Sequence, residues 1–398
     1  MMNGWIISAA AEIFWREENK MAEARSLEEI KLDYAWKFGC GRYIQQREAL
    51  ETLPEEIKRL GDKPLIIAGP RAWEATEGRI EKALREAGIE YVLSVYPDQN
   101  TYEKAREHAS QAVSSGCDVI VGVGGGRIMD QAKASAYFAG EMTKARSGHF
   151  PVVQVPTSIA TCAAFAPLSV MYTQEGASLG SLRHNFEVNA IVVDLDVIVK
   201  EPARYVASGI LDGMAKMVEM QNGHDNITIE EFDVGLVTAF TLAKYTMETY
   251  RKRGVQAVED VRAGKLTKEV EDITYLNIAV AGVISGCSKG FGQTALGHEC
   301  YELIRTHFTQ EAKDFIHGEI VAVGQSMQLS FNGQEDQIPA LREMMNSFDM
   351  PLTLKDIGIE PTEENVETLY QDLYHSPFVK DCPEEAEKLR KAMKWLCE

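Results

Sequence analysis

Between about Thr52 and Asp194, short apolar runs alternate with amphipathic stretches, and glycines mark the joints. Leu65-Ile66-Ile67-Ala68 reads as a buried strand ending at Gly69. Thr76 to Ala87 repeats apolar residues at helical spacing and stops at Gly88, before the strand-like run Tyr91 to Tyr96. A second helical stretch, Tyr102 to Ser115, stops at Gly116 and leads into Asp118-Val119-Ile120-Val121. A glycine cluster follows, then a helical pattern from Ile128 to Ala139 closed by Gly140, the strand Val152 to Val155, and a last strand, Ala190 to Asp194. Apolar runs too short to be helices, separated by helices, predict parallel strands with crossover helices, hence a doubly wound α/β sheet.

After Pro202 the pattern changes. Phe232 to Tyr250, Val270 to Ile284, Ile316 to Leu329 and Glu384 to Leu396 all carry the helical period, with no alternation that would compete for a strand. The expectation is an all-helical second half, with domains at 1–201 and 202–398. At 398 residues the chain has room for two domains of ordinary size. Residues 1–20 read as an extension, with Met21 an alternative start. Trp5 to Ala11 is too short to span a membrane.

Composition narrows the partners. Forty-one basic against 60 acidic side chains leave a net charge of -19, a field that repels phosphate backbones and anionic lipid, so neither nucleic acid nor a membrane is expected. From Phe331 to Glu398 stand 15 acidic and 7 basic side chains, which reads as a solvated helical surface. Seven cysteines without any C-x-x-C spacing indicate neither a disulfide framework nor a thiolate zinc site, and fit a reducing cytoplasm.

Gly122-Val123-Gly124-Gly125-Gly126 lies between a strand and a helix, where bare amides and a helix N-terminus receive phosphate. Arg127 stands where the G-x-G-x-x-G fingerprint has its third glycine, and at least two strands precede the cluster, so the usual dinucleotide fold does not match. A tight turn alone would also use these glycines. Pro156-Thr157-Ser158-Ile159-Ala160-Thr161 follows the next strand and would emerge on the same sheet edge, which favours a nucleotide. Farther on, His298 and His317 lie in helical stretches, and Asp212 sits in Ser208-Gly209-Ile210-Leu211-Asp212-Gly213, where it could merely cap a helix. They are 86 and 19 residues apart, too far for a short zinc motif, so spacing alone does not assemble them. Together, one carboxylate and two imidazoles would leave a tetrahedral ion one open position.

Taken in order, these motifs resemble the metal-dependent, iron-containing type of alcohol dehydrogenase superfamily, its glycerol dehydrogenase-like branch above all. The resemblance rests on Gly124-Gly125-Gly126 with Asp130 and Lys133, Val155-Pro156-Thr157, Leu168-Ser169-Val170-Met171-Tyr172, Gly209-Ile210-Leu211-Asp212, His298, and His317-Gly318-Glu319 through Gly324. It implies a dehydroquinate synthase-like dinucleotide-binding domain, a helical bundle domain, and one divalent metal on Asp212, His298 and His317. Zinc suits that set, and iron, nickel, cobalt or manganese also fit. It places the cofactor on Gly69, Gly124, Gly125, Gly126, Arg127, Ile128, Asp130, Thr157, Ser158, Leu168 and Tyr172. It also implies a homo-oligomer, although no heptad in the chain argues for one.

Two departures from the family matter. Glycerol dehydrogenases carry an aspartate for the polyol hydroxyls where this chain has Cys162, and a thiol cannot accept two hydroxyl hydrogen bonds. The run Ala160-Thr161-Cys162-Ala163-Ala164-Phe165 resembles the hydroxycarboxylate dehydrogenase subgroup. The expected reaction is therefore hydride transfer between a nicotinamide and a 2-hydroxy acid/2-oxo acid pair, with Cys162 and Phe165 as substrate contacts; glycerol is the alternative. Cys162 and Phe165 also admit a role as small or bulky core fillers. After the first strand, Gly69-Pro70-Arg71 lacks the usual acid for the ribose, which leans the cofactor to NADP(H), with NAD(H) also admitted. Lower-ranked rivals are a dehydroquinate synthase-like lyase and a non-enzymatic nucleotide-binding protein.

Overall fold

The computed structural model describes residues 38–224, 226–289 and 292–398, so the extension 1–20 and the alternative start lie outside the described residues. The described residues open with β1 (Cys40–Gln46) and α1 (Leu53–Lys58), then alternate: β2 (Pro64–Ala68), α2 (Pro70–Glu86), β3 (Val92–Val95), α3 (Tyr102–Ser114), β4 (Val119–Gly124), α4 (Gly126–Thr143) and β5 (Val152–Pro156). An antiparallel hairpin, β6 (Leu168–Tyr172) and β7 (Ser178–Arg183), precedes the last strand, β8 (Val188–Asp194). The main sheet is parallel throughout, in the order β1-β8-β5-β4-β2-β3. Central strands β2, β4 and β5 are buried along their whole length, as continuous apolar runs flanked by helices require.

Helices α2 and α3 end as expected, with Gly88 and Gly116 both at φ 68°, the left-handed conformation that closes a helix C-terminus. Gly140 is different. Helix α4 runs through it to Thr143 and closes at Lys144 (φ 53°), while Gly140 lets the backbone of Gly148 and His149 pass against the helix where a Cβ would collide. The strand Leu65 to Ala68 is second rather than first among the described residues, because the half-exposed β1 precedes it.

From Ala203 onward the regular structure of the described residues is helical: α5 (Ala203–Met220), α6 (Val234–Arg262), α7 (Lys268–Cys287), α8 (Leu296–His307), α9 (His317–Phe331), α10 (Ile338–Ser347), α11 (Glu363–Tyr374) and α12 (Pro383–Ala392). Helix α7 contains a π-helical turn at Leu276–Val280 and is long and apolar enough to cross a membrane by composition. It runs instead through the protein core, with Val270, Ile273 and Ile278 fully buried. One apolar cluster joins the sheet (Leu65, Ile120, Ile191) to the helices (Ile210, Tyr250, Ile273, Phe348).

Candidate active site

A cleft of about 2940 Å³ is lined both by the loops at the carboxyl ends of β2, β4 and β5 and by helices α5, α8 and α9. On the sheet side, Gly125 caps α4 with an extended backbone and its carbonyl accepts the Ile128 (3.0 Å) and Met129 (3.1 Å) N–H groups, which leaves the Gly126 and Arg127 amides at the helix start free of intrahelical partners. A Cβ on Gly126 would stand 2.9 Å from Thr161 Oγ1, so only glycine leaves this turn open beside the Thr157–Thr161 loop. Gly69, Arg127, Ile128, Asp130, Thr157, Ser158, Cys162, Leu168 and Tyr172 line the same cleft. Gly124 lies beneath it, where its missing Cβ makes room for Ile128 (2.8 Å to the Ile128 Cβ). Phe165 does not reach the cleft. Its ring packs edge-on against Tyr43 and fills the space left by Gly39 and Gly282, so it is a core residue rather than the expected substrate contact.

Asp130 is buried and committed to the fold: its carboxylate pairs with Lys133 at 2.9 Å and accepts the Val170 N–H at 3.0 Å. The Lys133 ammonium donates to the carbonyls of Ala163 (2.7 Å), Ala166 (2.9 Å) and Leu168, which pins the Cys162 loop and the start of β6 to α4. Below the Thr157-Ser158 turn, Glu201 accepts the Ile159 N–H at 3.3 Å, and burial pushes its carboxyl up to about 8 against the opposing hydrogen bonds from Ser158 and Ile159.

On the helical side the three widely spaced residues converge. Asp212 is not a cap; it lies inside α5, 4% exposed, and its Oδ1 faces both His317 Nε2 (3.1 Å) and His298 Nε2 (3.3 Å). One ligand atom from each of the three lies within 4.8 Å of the others. A carboxylate oxygen and two imidazole nitrogens on so small a locus are a donor set for a divalent cation. Burial works against the Asp212 charge, but Lys216 and the two histidines outweigh it and hold the carboxyl well below its ordinary range.

Each ligand is held by neighbouring helices. His317 opens α9, where Glu319 reaches back to the Ile316 N–H (2.9 Å) and Ser208 Oγ accepts the Gly318 N–H (3.1 Å). The Tyr301 ring packs edge-on against His317, with centroids 4.3 Å apart, and its hydroxyl lies 3.2 Å from that of Tyr172. His298 depends on Glu219, whose carboxylate is 2% exposed. Glu219 Oε1 accepts the N–H groups of Ala295 (2.8 Å) and His298 (2.7 Å) at the start of α8, and its Oε2 meets His298 Nδ1 at 2.5 Å. That bond directs Nε2 toward Asp212. Lys216 and Glu219 were not singled out in the sequence, although they follow Asp212 by four and seven residues on one face of α5.

A doubly wound parallel sheet with a glycine turn at its carboxyl edge, joined across a cleft to helices that present a carboxylate and two imidazoles, defines a dehydroquinate synthase-like fold. Residues 40–195 match the family described as iron-containing alcohol dehydrogenase, and the chain is similar to proteins of its glycerol dehydrogenase-like branch. Glycolaldehyde reductase of Halobacterium salinarum is 29% identical over 334 residues, 81% of this chain and 85% of that protein. Glycerol dehydrogenase of Pseudomonas putida is 28% identical over 323 residues, 80% of this chain and 84% of its own length. Hydroxycarboxylate dehydrogenase A of Escherichia coli is 28% identical over 306 residues, 74% of this chain and 77% of that one. The solved structure of a probable glycerol dehydrogenase from Sinorhizobium meliloti shares the fold, with a TM-score of 0.75, 22% identity and coverage of 91% of this chain and 98% of that chain.

Proposed function

We propose that this chain, a dehydrogenase acting on CH–OH groups, interconverts a small polyol or hydroxyaldehyde and its redox partner with a nicotinamide dinucleotide. The observation that carries the proposal is the convergence of Asp212, His298 and His317 in the same cleft as the glycine turn of α4. In this reading the triad holds one divalent metal, zinc first, with iron, nickel, cobalt and manganese as competitors. Gly69, Gly125, Gly126, Thr157 and Ser158 hold the dinucleotide, with its phosphates on the free amides of α4. When bound, the metal supplies Lewis acidity to the substrate oxygen and the nicotinamide exchanges a hydride with the carbinol carbon. The protein's own work is to orient the imidazoles through Glu219 and Tyr301 and to bury the reacting centre. Arg71, exposed at the cleft wall beyond Gly69, lets NADP(H) serve beside NAD(H).

A polyol or hydroxyaldehyde is supported by relatives named glycolaldehyde reductase and glycerol dehydrogenase, which span about four fifths of the chain. A second reading, a 2-hydroxy acid, is favoured by Cys162, which lines the cleft as a thiol that burial keeps uncharged. The test is reconstitution of chelator-treated protein with each metal, followed by NADH and NADPH oxidation against hydroxyaldehydes, ketoses and 2-oxo acids. Activity should vanish on chelation and return with metal; full turnover by the metal-free protein would refute the reading.

A further inference from the structure

Most cations around the triad are already spoken for. Lys133 is bonded to Asp130 and three carbonyls, Arg204 forks onto Glu319 at 2.9 and 2.6 Å, and Arg305 donates to the carbonyls of Ala312 (2.9 Å) and Phe315 (2.5 Å). Lys216 stands apart. It is 3% exposed and lines the cleft, and its ion pair with Asp212 Oδ2 spans 3.6 Å, beyond hydrogen-bond reach. Among the described residues no acceptor takes any of its three N–H donors within that reach. A buried ammonium without acceptors is costly, and the open side of this one is the cleft.

We propose that Lys216 builds a substrate subsite for an anionic oxygen, namely that of a carboxylate bonded directly to the reacting carbinol carbon. Asp212 divides its two oxygens: Oδ1 faces the histidines and Oδ2 faces Lys216. The ammonium therefore lies across the Asp212 carboxylate from the point where the three ligand atoms converge. A substrate whose reacting oxygen sits at the triad brings the oxygen-bearing group attached to its carbinol carbon toward Lys216. A hydroxyl there would gain an ordinary hydrogen bond, whereas a carboxylate gains a charge-assisted one and returns an acceptor to a buried cation. Cys162, on the same cleft wall, adds no negative charge to repel it. The inference rests on the triad as the reacting centre and deepens the hydroxy-acid reading of that site.

Oxamate, an unreactive mimic of a 2-oxo acid, tests the subsite without turnover. Calorimetric titration into the enzyme at saturating metal and nucleotide should show binding that weakens at least tenfold in Lys216→Gln and Lys216→Met and less in Lys216→Arg. Hydroxypyruvate and dihydroxyacetone then form a matched pair, differing only in carboxylate against hydroxymethyl. The ratio of their kcat/KM values should fall by a similar factor in Lys216→Gln. Absence of oxamate binding, affinity within twofold of the parent in both neutral variants, or equal losses for the two ketones would overturn the subsite; the last would mean that Lys216 serves only Asp212. Lys216-dependent oxamate binding without reduction of either ketone would sustain the subsite and sink the dehydrogenase reading instead.

Discussion

Glu219 shows how much a single side chain can set. One buried carboxylate accepts two backbone N–H groups at the start of α8 and the Nδ1 of His298, so it places the helix terminus and the imidazole together. Replacement by glutamine keeps the shape but exchanges a charged acceptor for a neutral amide, and the Nδ1 bond loses its charge-assisted part. Metal affinity of Glu219→Gln should drop about 10- to 100-fold, measured by competition with a chromophoric chelator, and the visible spectrum of the cobalt-loaded variant should shift. Unchanged affinity and spectrum would mean that Glu219 only caps the helix. Neither Glu219 nor Lys216 was legible in the sequence, because a charged residue on an amphipathic helix reads by default as a solvated position. The clue lay in their spacing from Asp212, and it acquires meaning only once α5 is known to be buried without a break from Val206 to Lys216 and again from Val218 to Met220.

At the scale of elements, the site depends on how closely α5 approaches the loop after β5. Gly209 faces the Ile159 carbonyl and the amide of Asn277, which itself donates to Ile159 O at 3.0 Å from the π-helical turn of α7. One turn farther along, Gly213 lies against the Tyr250 ring, where a Cβ would stand 2.7 Å from Cε2. Gly209→Ala has no room for its methyl group, so α5 must retreat and carry Asp212 with it. The cost should be about 1–3 kcal/mol of stability, read from denaturant unfolding, together with weaker metal binding; a variant matching the parent in both would show that the loop, not the helix, gives way. Glycines at helix ends, Gly88 and Gly116, were readable because a positive φ there has one common use. Gly140 and Gly209 were not, since close approach by a distant segment leaves no local mark. The hairpin β6–β7 and the edge strand β1 also escaped, because their mixed, half-buried residues lack both the continuous apolar run of a central strand and strict alternation. The triad residues could be named as candidates, but only the packing of α5, α8 and α9 joins positions 86 and 19 residues apart; in the sequence that set came from family resemblance.

For the whole molecule, the last strand ends at Asp194 and long helices take over from Ala203, yet one apolar cluster runs from Leu65 in β2 to Phe348 beyond α10. We propose that the two halves are domains in architecture and a single unit in stability, so unfolding should follow one transition. Glu201 sits at the junction, holding the Thr157–Ile159 loop from the segment that leads into α5. Its carboxyl titrates near its ordinary 4.5 when unfolded and at about 8 in the native protein, where burial outweighs the hydrogen bonds to Ser158 and Ile159. Between those two values the native state holds one proton that the unfolded chain has released. Native stability should therefore fall as pH rises through that window, by up to about 1.4 kcal/mol per pH unit from this group, and level off above it. Glu201→Gln removes the proton difference. Its advantage over the parent should be smallest near pH 5 and largest near pH 8.5, measured as unfolding free energy in urea at both values. Parallel pH profiles for the two proteins would show that Glu201 is ionised in the native fold, and two separate unfolding transitions would show that the shared core does not couple the halves.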